Sequence, residues 1–251
     1  MSLRFELINN IRDKMLNAEA SIGTWQQIPH ASISEILGKA GYDWVAVDME
    51  HGSINVAQLP DLFRAIELGG TLPLVRIAES GVKNCKQALD AGAGGIIAPM
   101  IESADQLQMV KNACSWPPVG TRGVGFSRAN LFGKEFDNYK DEAQFPLLIA
   151  QIEHINAVKN LKDILKVDGL DAILVGPYDL SASMGITGKF DTQEFQKIMS
   201  IIITLCNKNN IACGDHLVHP NKKLLELRIK QGYKFIAHGT DGVFLNQSAQ
   251  L

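Results

Sequence analysis

Short apolar runs recur along the chain, and each is followed by a segment whose apolar residues fall at helical spacing. The runs occupy 22–25, 44–49, 73–77, 95–99, 147–152, 171–176, 211–214 and 234–238. Several are apolar without alternation, the pattern of parallel strands covered on both faces. The first helix falls before the first run: Leu3, Phe5, Leu7, Ile8, Ile11 and Met15 form one face over 3–19 and predict a cap on one end of the domain. Helices are predicted at 33–40, capped by Ser32 or Ser34 and stopped by Gly41, and at 55–68, stopped by Gly69-Gly70. Further helices follow at 82–91, 103–114, 155–166, 192–208 and 221–231. Pro117-Pro118 ends the one at 103–114. Residues 115–146 read as a long irregular stretch rich in Gly, Pro, Asn and Ser, and 242–251 as a final helical turn or two. Eight strands alternating with helices predict an α/β (β/α)8 TIM barrel with an N-terminal helix.

Length fits that reading. The chain has 251 residues, 46% of them hydrophobic, and a barrel of this type takes roughly 250 residues as one domain. We therefore expect residues 1–251 to form a single domain, with no linker, repeat or low-complexity segment. The net charge of −3 and the lack of any basic cluster argue against a nucleic-acid partner. Cys85, Cys114, Cys206 and Cys213 include no Cys-x-x-Cys pair and read as reduced, buried thiols. The charged N-terminus is not a signal peptide, and no apolar run approaches the ~18 residues of a membrane span. The expectation is a soluble, cytoplasmic protein.

In a barrel of this kind chemistry gathers where the strands end at their carboxyl termini. The residues there are Asp48, Glu50 and His51 after the second strand, Arg76 in the third, Gln151 and Glu153 after the fifth, and Asp179 after the sixth. Glu153 and Asp179 are one βα unit apart, so adjacent strands bring two carboxylates together. They repel unless a proton or cation lies between them, and oxygen ligands suit Mg²⁺ or Mn²⁺. The bland alternative is two unrelated loop acids. Gln151 shares parity with Glu153 and points the same way. His51 lies three residues beyond Asp48, whose carboxylate can orient the imidazole as a base; the alternative is a surface histidine. Arg76 interrupts an apolar strand and is either a structural ion pair or a clamp for an anionic oxygen. Asp90, near a helix end, reads as a solvated charge.

No predicted strand carries a lysine near its carboxyl end, so a Schiff-base mechanism has no amine to use. Gly123-Val124-Gly125 lacks the strand and helix of a dinucleotide fingerprint, and no nucleotide cofactor is expected. Gly239-Thr240-Asp241-Gly242 offers backbone N–H groups to a phosphate only weakly; a plain turn accounts for it as well.

Six stretches, in order, resemble the metal-dependent class II aldolases of the HpcH/HpaI family. They are Asp48-Met49-Glu50-His51, Pro73-Leu74-Val75-Arg76, Leu89-Asp90-Ala91-Gly92, 117–125 (PPVGTRGVG), Gln151-Ile152-Glu153 and 176–183 (GPYDLSAS), and the likeness runs from Ser21 to Asp241. The resemblance implies reversible retro-aldol cleavage of a 4-hydroxy-2-oxo acid to pyruvate and an aldehyde. It implies Mg²⁺ or Mn²⁺ on Glu153 and Asp179, with Co²⁺ a further candidate. It places the pyruvate carboxylate on the backbone N–H groups of Tyr178 and Asp179. Gln151, Gly176 and Leu217 would help to bind substrate, and Arg76 would sit on the keto oxygen. His51, oriented by Asp48, would act through a water at the aldehyde end. Asp90 would reach a neighbouring subunit's site in a homo-oligomer, a trimer or hexamer.

Four features depart from the family pattern and leave the aldehyde open. Residues 214–220 (GDHLVHP) read as a longer, more polar stretch after the seventh strand. His238 replaces a small apolar residue, the loop at Phe126-Ser127-Arg128 is shorter, and the C-terminal tail is short. No role follows for His216, His219 or His238. A lyase for acyl-CoA or phosphoenolpyruvate-type substrates on the same barrel would need a basic patch or a clear phosphate site. A non-catalytic barrel would be expected to have lost a metal carboxylate or the histidine, and all are present.

Overall fold

The eight strands are β1 (Ser21–Gln26), β2 (Trp44–Asp48), β3 (Leu72–Arg76), β4 (Gly95–Ala98), β5 (Leu147–Ile152), β6 (Ala172–Val175), β7 (Ala212–Leu217) and β8 (Phe235–Thr240). In the computed structural model, which describes residues 2–250, each strand pairs in parallel with the next, and β8 closes on β1. The helices are α1 (Leu3–Leu16), α2 (Ala31–Gly38), α3 (Leu59–Glu67), α4 (Val82–Asp90), α5 (Ala104–Cys114), α6 (Phe136–Gln144), α7 (Ile155–Lys159), α8 (Leu161–Ile164), α9 (Pro177–Ser183), α10 (Gln193–Asn209), α11 (Lys222–Lys230) and α12 (Asp241–Ser248).

Strand alternation divides the apolar residues into two cores. Trp44, Ala46, Leu72, Leu74, Ile97, Leu147, Ile149, Ala172, Leu174, Phe235 and Ala237 fill the barrel interior. Ile8, Ile11 and Met15 of α1 join that cluster where the strands begin, so the first helix plugs the barrel floor as its periodicity predicts. The other parity packs outward against the helices: Val45, Val47, Val75, Ile96, Leu148, Ile152, Ile173, Val175 and Ile236. Trp44 stacks on Phe235 at 4.4 Å and 5° between ring planes. Gly23 opposite it has to be glycine, because a Cβ there would lie 2.0 Å from the indole.

Several local expectations are corrected. The cap of α2 is His30, whose side chain accepts the Ser32 N–H at 3.2 Å; Ser34 turns inward to Gln26 instead. The segment 115–146 is not a loop throughout. It holds a 3-10 turn (Arg128–Gly133) and α6, whose Tyr139 and Ala143 pack with Trp116 and Ala129 in a satellite core. Its polarity hides the helix, because one buried position is Glu142, matched by Arg4 of α1 at 2.6 Å. The helix predicted at 155–166 is broken into α7 and α8 at Asn160. The polar stretch 214–217 is no loop extension: it is the second half of β7.

Truncating the indole at the floor of the barrel should be costly. Trp44→Ala is expected to lose about 3–5 kcal/mol, the range for emptying a buried aromatic site. Urea unfolding followed by far-ultraviolet circular dichroism measures this, and a loss below about 1 kcal/mol would contradict the packing described.

Candidate active site

The inward parity that is apolar at the strand starts becomes polar at the strand ends. Asp48, Arg76 and Gln151 occupy inward positions on β2, β3 and β5, with Glu153 just beyond. Trp25 of β1 and His216 of β7 share the same mouth.

Arg76 is the hub. Its Nε and Nη2 donate to the Asp48 Oδ1 and Oδ2 at 2.8 and 2.6 Å, a fork between registered neighbours on adjacent strands. Nη1 lies 3.0 Å from the Glu50 Oε2. The guanidinium carbon sits 4.5 Å from the centroid of the Trp25 ring. Burial pushes the Asp48 carboxyl up, but the Arg76 fork and charge, with Gln27 and the Glu50 N–H, more than reverse this and hold it below its ordinary 3.8. Glu50 is pushed up, by burial first, against the pull of Arg76 and His51.

The Asp48–His51 relation differs from the expectation. Asp48 accepts the backbone N–H of His51 at 3.4 Å, while its carboxylate is committed to Arg76 and to the Gln27 amide at 2.9 Å. The imidazole of His51 is 59% exposed, and its Nε2 stands 4.0 Å from the Glu50 Oε2. Asp48 therefore positions Arg76 and the loop, and the carboxylate beside the ring belongs to Glu50. Two participants escaped sequence reading. Gln27 and Trp25 carried no signal. Glu50 was visible as an acid at the end of β2, but nothing tied it to Arg76.

Glu153 is 2% exposed. Its Oε1 accepts the Met100 N–H at 2.6 Å and its Oε2 accepts the Gln151 amide at 2.7 Å. Met100 holds a left-handed φ of 52°, a backbone state that non-glycine residues rarely adopt. Burial pushes the Glu153 carboxyl up to about 7, with Glu50 and Asp179 adding negative potential against the Met100 N–H and Arg76. Asp179 is exposed in the first turn of α9, and Tyr178 beside it is exposed with its ring edge-on to Phe190 at 5.0 Å.

Among the described residues no cluster of three or more His, Cys, Asp or Glu forms a closed metal cage. The surroundings nevertheless fit a hard divalent cation, which commonly takes only one or two protein carboxylates and completes its shell with water and substrate oxygens. Asp48, Glu50 and Glu153 lie around one guanidinium, and Asp179 adds its charge to that of Glu50 and Glu153, leaving excess negative charge. The buried Gln151 Oε1 has no partner. Gly176 leaves room at the carboxylate, since a Cβ there would lie 2.7 Å from the Glu153 Oε2.

Two expected residues fall elsewhere. Leu217 packs in the outer core between strands and helices, so its side chain faces away from the mouth; the inward residue is its neighbour His216. Asp90 ends α4, which runs from the strand ends back toward the barrel floor, and within one chain it lies near Arg122 and Lys86. Two other acids near the strand ends have structural partners. Asp215 points outward to Arg228 at 2.6 Å. Asp241 turns its carboxylate onto the N–H groups of Gln27 at 2.9 Å, Ile28 at 2.8 Å and Gly242 at 2.8 Å, so the turn after β8 is satisfied internally.

Arg76→Met would leave Asp48 buried without its cation, and we expect a stability loss of about 3–5 kcal/mol at neutral pH. Asp48 is depressed in the folded chain. Its contribution is therefore complete above 3.8 and is lost as pH falls below that value through the folded-state pKa. The gap between wild type and variant should narrow on acidification. It begins to narrow where the unpaired carboxyl of the variant takes up a proton and continues as the wild-type carboxylate does the same. Urea titrations across the acid range test this, and a gap that ignores pH would count against it.

Residues 21–247 match the model of the HpcH/HpaI aldolase/citrate lyase family. The chain is 33% identical to the hydroxypyruvate/pyruvate aldolase of Roseobacter denitrificans, covering 93% of this chain and 91% of that one. It is 34% identical to a 2-keto-3-deoxy-L-rhamnonate aldolase of Escherichia coli, covering 94% and 88%. A solved HpcH/HpaI aldolase/citrate lyase family protein from Burkholderia cenocepacia superposes with a TM-score of 0.90 at 28% identity, covering 96% of both chains. The polar barrel mouth thus belongs to a carbon–carbon lyase, and the chain is a member of the HpcH/HpaI aldolase/citrate lyase family.

Proposed function

We propose that the protein catalyses divalent-metal-dependent, reversible cleavage of a 4-hydroxy-2-oxo acid, a 2-keto-3-deoxy sugar acid or related diacid, to pyruvate and an aldehyde. The observation that carries this reading is the arrangement of Arg76 and Glu153: a forked cation and a buried carboxylate of raised pKa in one barrel mouth. Retro-aldol cleavage needs a proton removed from the C4 hydroxyl and a place for charge to collect on the C2 oxygen.

Glu153 and Asp179 would hold Mg²⁺ or Mn²⁺, which when bound supplies Lewis-acid polarisation of the keto group. Arg76 accepts the negative charge that develops on the C2 oxygen, held in place by Asp48. The N–H groups of Tyr178 and Asp179 lie in the first turn of α9, where the helix itself offers them no acceptor, and they bind the substrate carboxylate. Gly176 and Gln151 shape the floor beneath it. His51, open to the mouth, takes the C4 hydroxyl proton through a water and returns it in the condensing direction.

Asp90 would serve the site of a neighbouring copy in a trimer or hexamer. Exposed apolar side chains at Val124, Phe126, Leu131 and Phe132, with Phe126 73% exposed, support such an assembly. Light scattering on the eluting protein tests it, and a monomer at micromolar concentration would remove Asp90 from the site.

EDTA should abolish pyruvate release from a 4-hydroxy-2-oxo acid, with Mg²⁺ or Mn²⁺ restoring it; full activity in the chelator would sink the metal role. Glu153→Gln should lose metal binding in calorimetry. His51→Ala should keep the metal and lose about 10²–10⁴-fold in turnover, the usual share of a general acid–base.

A further inference from the structure

A residue that moves a proton has to be aimed, and the backbone of His51 does half of that. Asp48 Oδ1 accepts the N–H groups of Glu50 at 3.1 Å and of His51 at 3.4 Å, so the turn after β2 sets the two residues side by side. Gly52 closes this turn tightly: a Cβ there would lie 2.7 Å from the Asp48 carbonyl oxygen. The imidazole beyond that fixed backbone is exposed, and the carboxylate next to it is that of Glu50.

Glu50 is held from the other side. Its Oε2 lies 3.0 Å from the Arg76 Nη1 and 4.0 Å from the His51 Nε2, so one oxygen stands between a permanent cation and an imidazole. Arg76 donates its Nε and Nη2 to Asp48, and no hydrogen bond reaches the Glu50 Oε2. That oxygen keeps an acceptor site open, and about 1 Å of ring movement turns the 4.0 Å approach into a hydrogen bond. The charges agree: burial pushes the Glu50 carboxyl up, while Arg76 and then His51 draw it back toward the ionised form. Of the other acids in this mouth, Asp48 is committed to Arg76 and Gln27, and Glu153 to Met100 and Gln151.

We propose that Glu50 is the positioning residue for His51: it takes the N–H of Nε2, which leaves Nδ1 as the acceptor turned to the C4 hydroxyl, and it stabilises the imidazolium once the proton arrives. This rests on the aldolase reading of the same site. A neutral imidazole has one N–H and one acceptor nitrogen, and a hydrogen bond to the first decides which nitrogen is the base. In cleavage the C4 hydroxyl proton passes through a water to Nδ1. The C4 oxygen becomes a carbonyl, the C3–C4 bond breaks, and its electron pair forms the C2–C3 double bond as charge moves to the C2 oxygen. C3 then takes a proton from solvent, and His51 returns its own to solvent. Glu50 makes and breaks no covalent bond.

Glu50 also touches Arg76, and two measurements separate the contacts. Cleavage of racemic 4-hydroxy-2-oxopentanoate with Mg²⁺, read as pyruvate released, draws on both Arg76 and His51. Exchange of the C3 protons of pyruvate in D₂O, read by proton NMR with enzyme-free exchange subtracted, has no C4 hydroxyl and draws on Arg76 alone of the two. Glu50→Gln should lower kcat for cleavage about 10- to 100-fold with KM little changed, the worth of a hydrogen bond to a charged group. The same variant should keep most of the exchange rate. In a His51→Ala background the substitution should cost little more, because an effect that acts through the imidazole vanishes with it. Exchange that falls as far as cleavage, an equal loss in both backgrounds, or a Glu50→Gln enzyme that cleaves like the wild type overturns the proposal, and each leaves the aldolase reading standing. A wild type that neither cleaves nor exchanges removes the aldolase reading, and this inference falls with it.

Discussion

A guanidinium buried in a protein interior has to be met by fixed partners, and the upper half of this barrel is arranged around meeting that of Arg76. Asp48 supplies the fork, Glu50 a third contact and Trp25 a face, drawn from β1, β2 and the loop after β2. Each partner is itself held. Gln27 and two backbone N–H groups occupy the remaining lone pairs of Asp48. Three contacts to carboxylates and the face of an indole hold the cation in place at the mouth. Such a group need not reorganise when charge develops on a bound oxygen, which is the usual source of electrostatic catalysis.

Glu153 sits among acids, in a burial that favours its protonated form, and two N–H donors orient it. One guanidinium among several carboxylates leaves the mouth with surplus negative charge, which a divalent ion would neutralise. The strained Met100 backbone belongs to this half: its left-handed turn aims an N–H at Glu153 that an extended residue would send elsewhere.

The barrel was legible because its strands are short apolar runs at regular intervals, and α1 because its apolar residues share one face. Parity carried most of the mouth: Asp48, Arg76, Gln151 and Glu153 follow from strand ends alone. What remained hidden has identifiable causes. The helix α6 buries a glutamate, so its pattern looks like a solvated loop until Arg4, far away in sequence, is seen beside it. Leu217 was assigned to the mouth by resemblance alone, whereas the pleat of β7 puts it in the outer core and turns its neighbour His216 inward. The Asp48 carboxylate was assigned to His51 by proximity in sequence, whereas its tighter partner came from the adjoining strand, a contact that spacing cannot reveal.

The seam between β1 and β8 is the last join in the ring. Asp241 fastens it by gripping the N–H groups of Gln27 and Ile28 from the residue that follows β8. A nascent chain emerging from the ribosome therefore carries an unpaired β1 edge until β8 has been made. Joining elements so distant in sequence is entropically slow, and an open parallel edge invites pairing with other chains. Biosynthesis of this barrel is thus most vulnerable just before its final strand arrives, and the same carboxylate that completes the circle also ends that exposure.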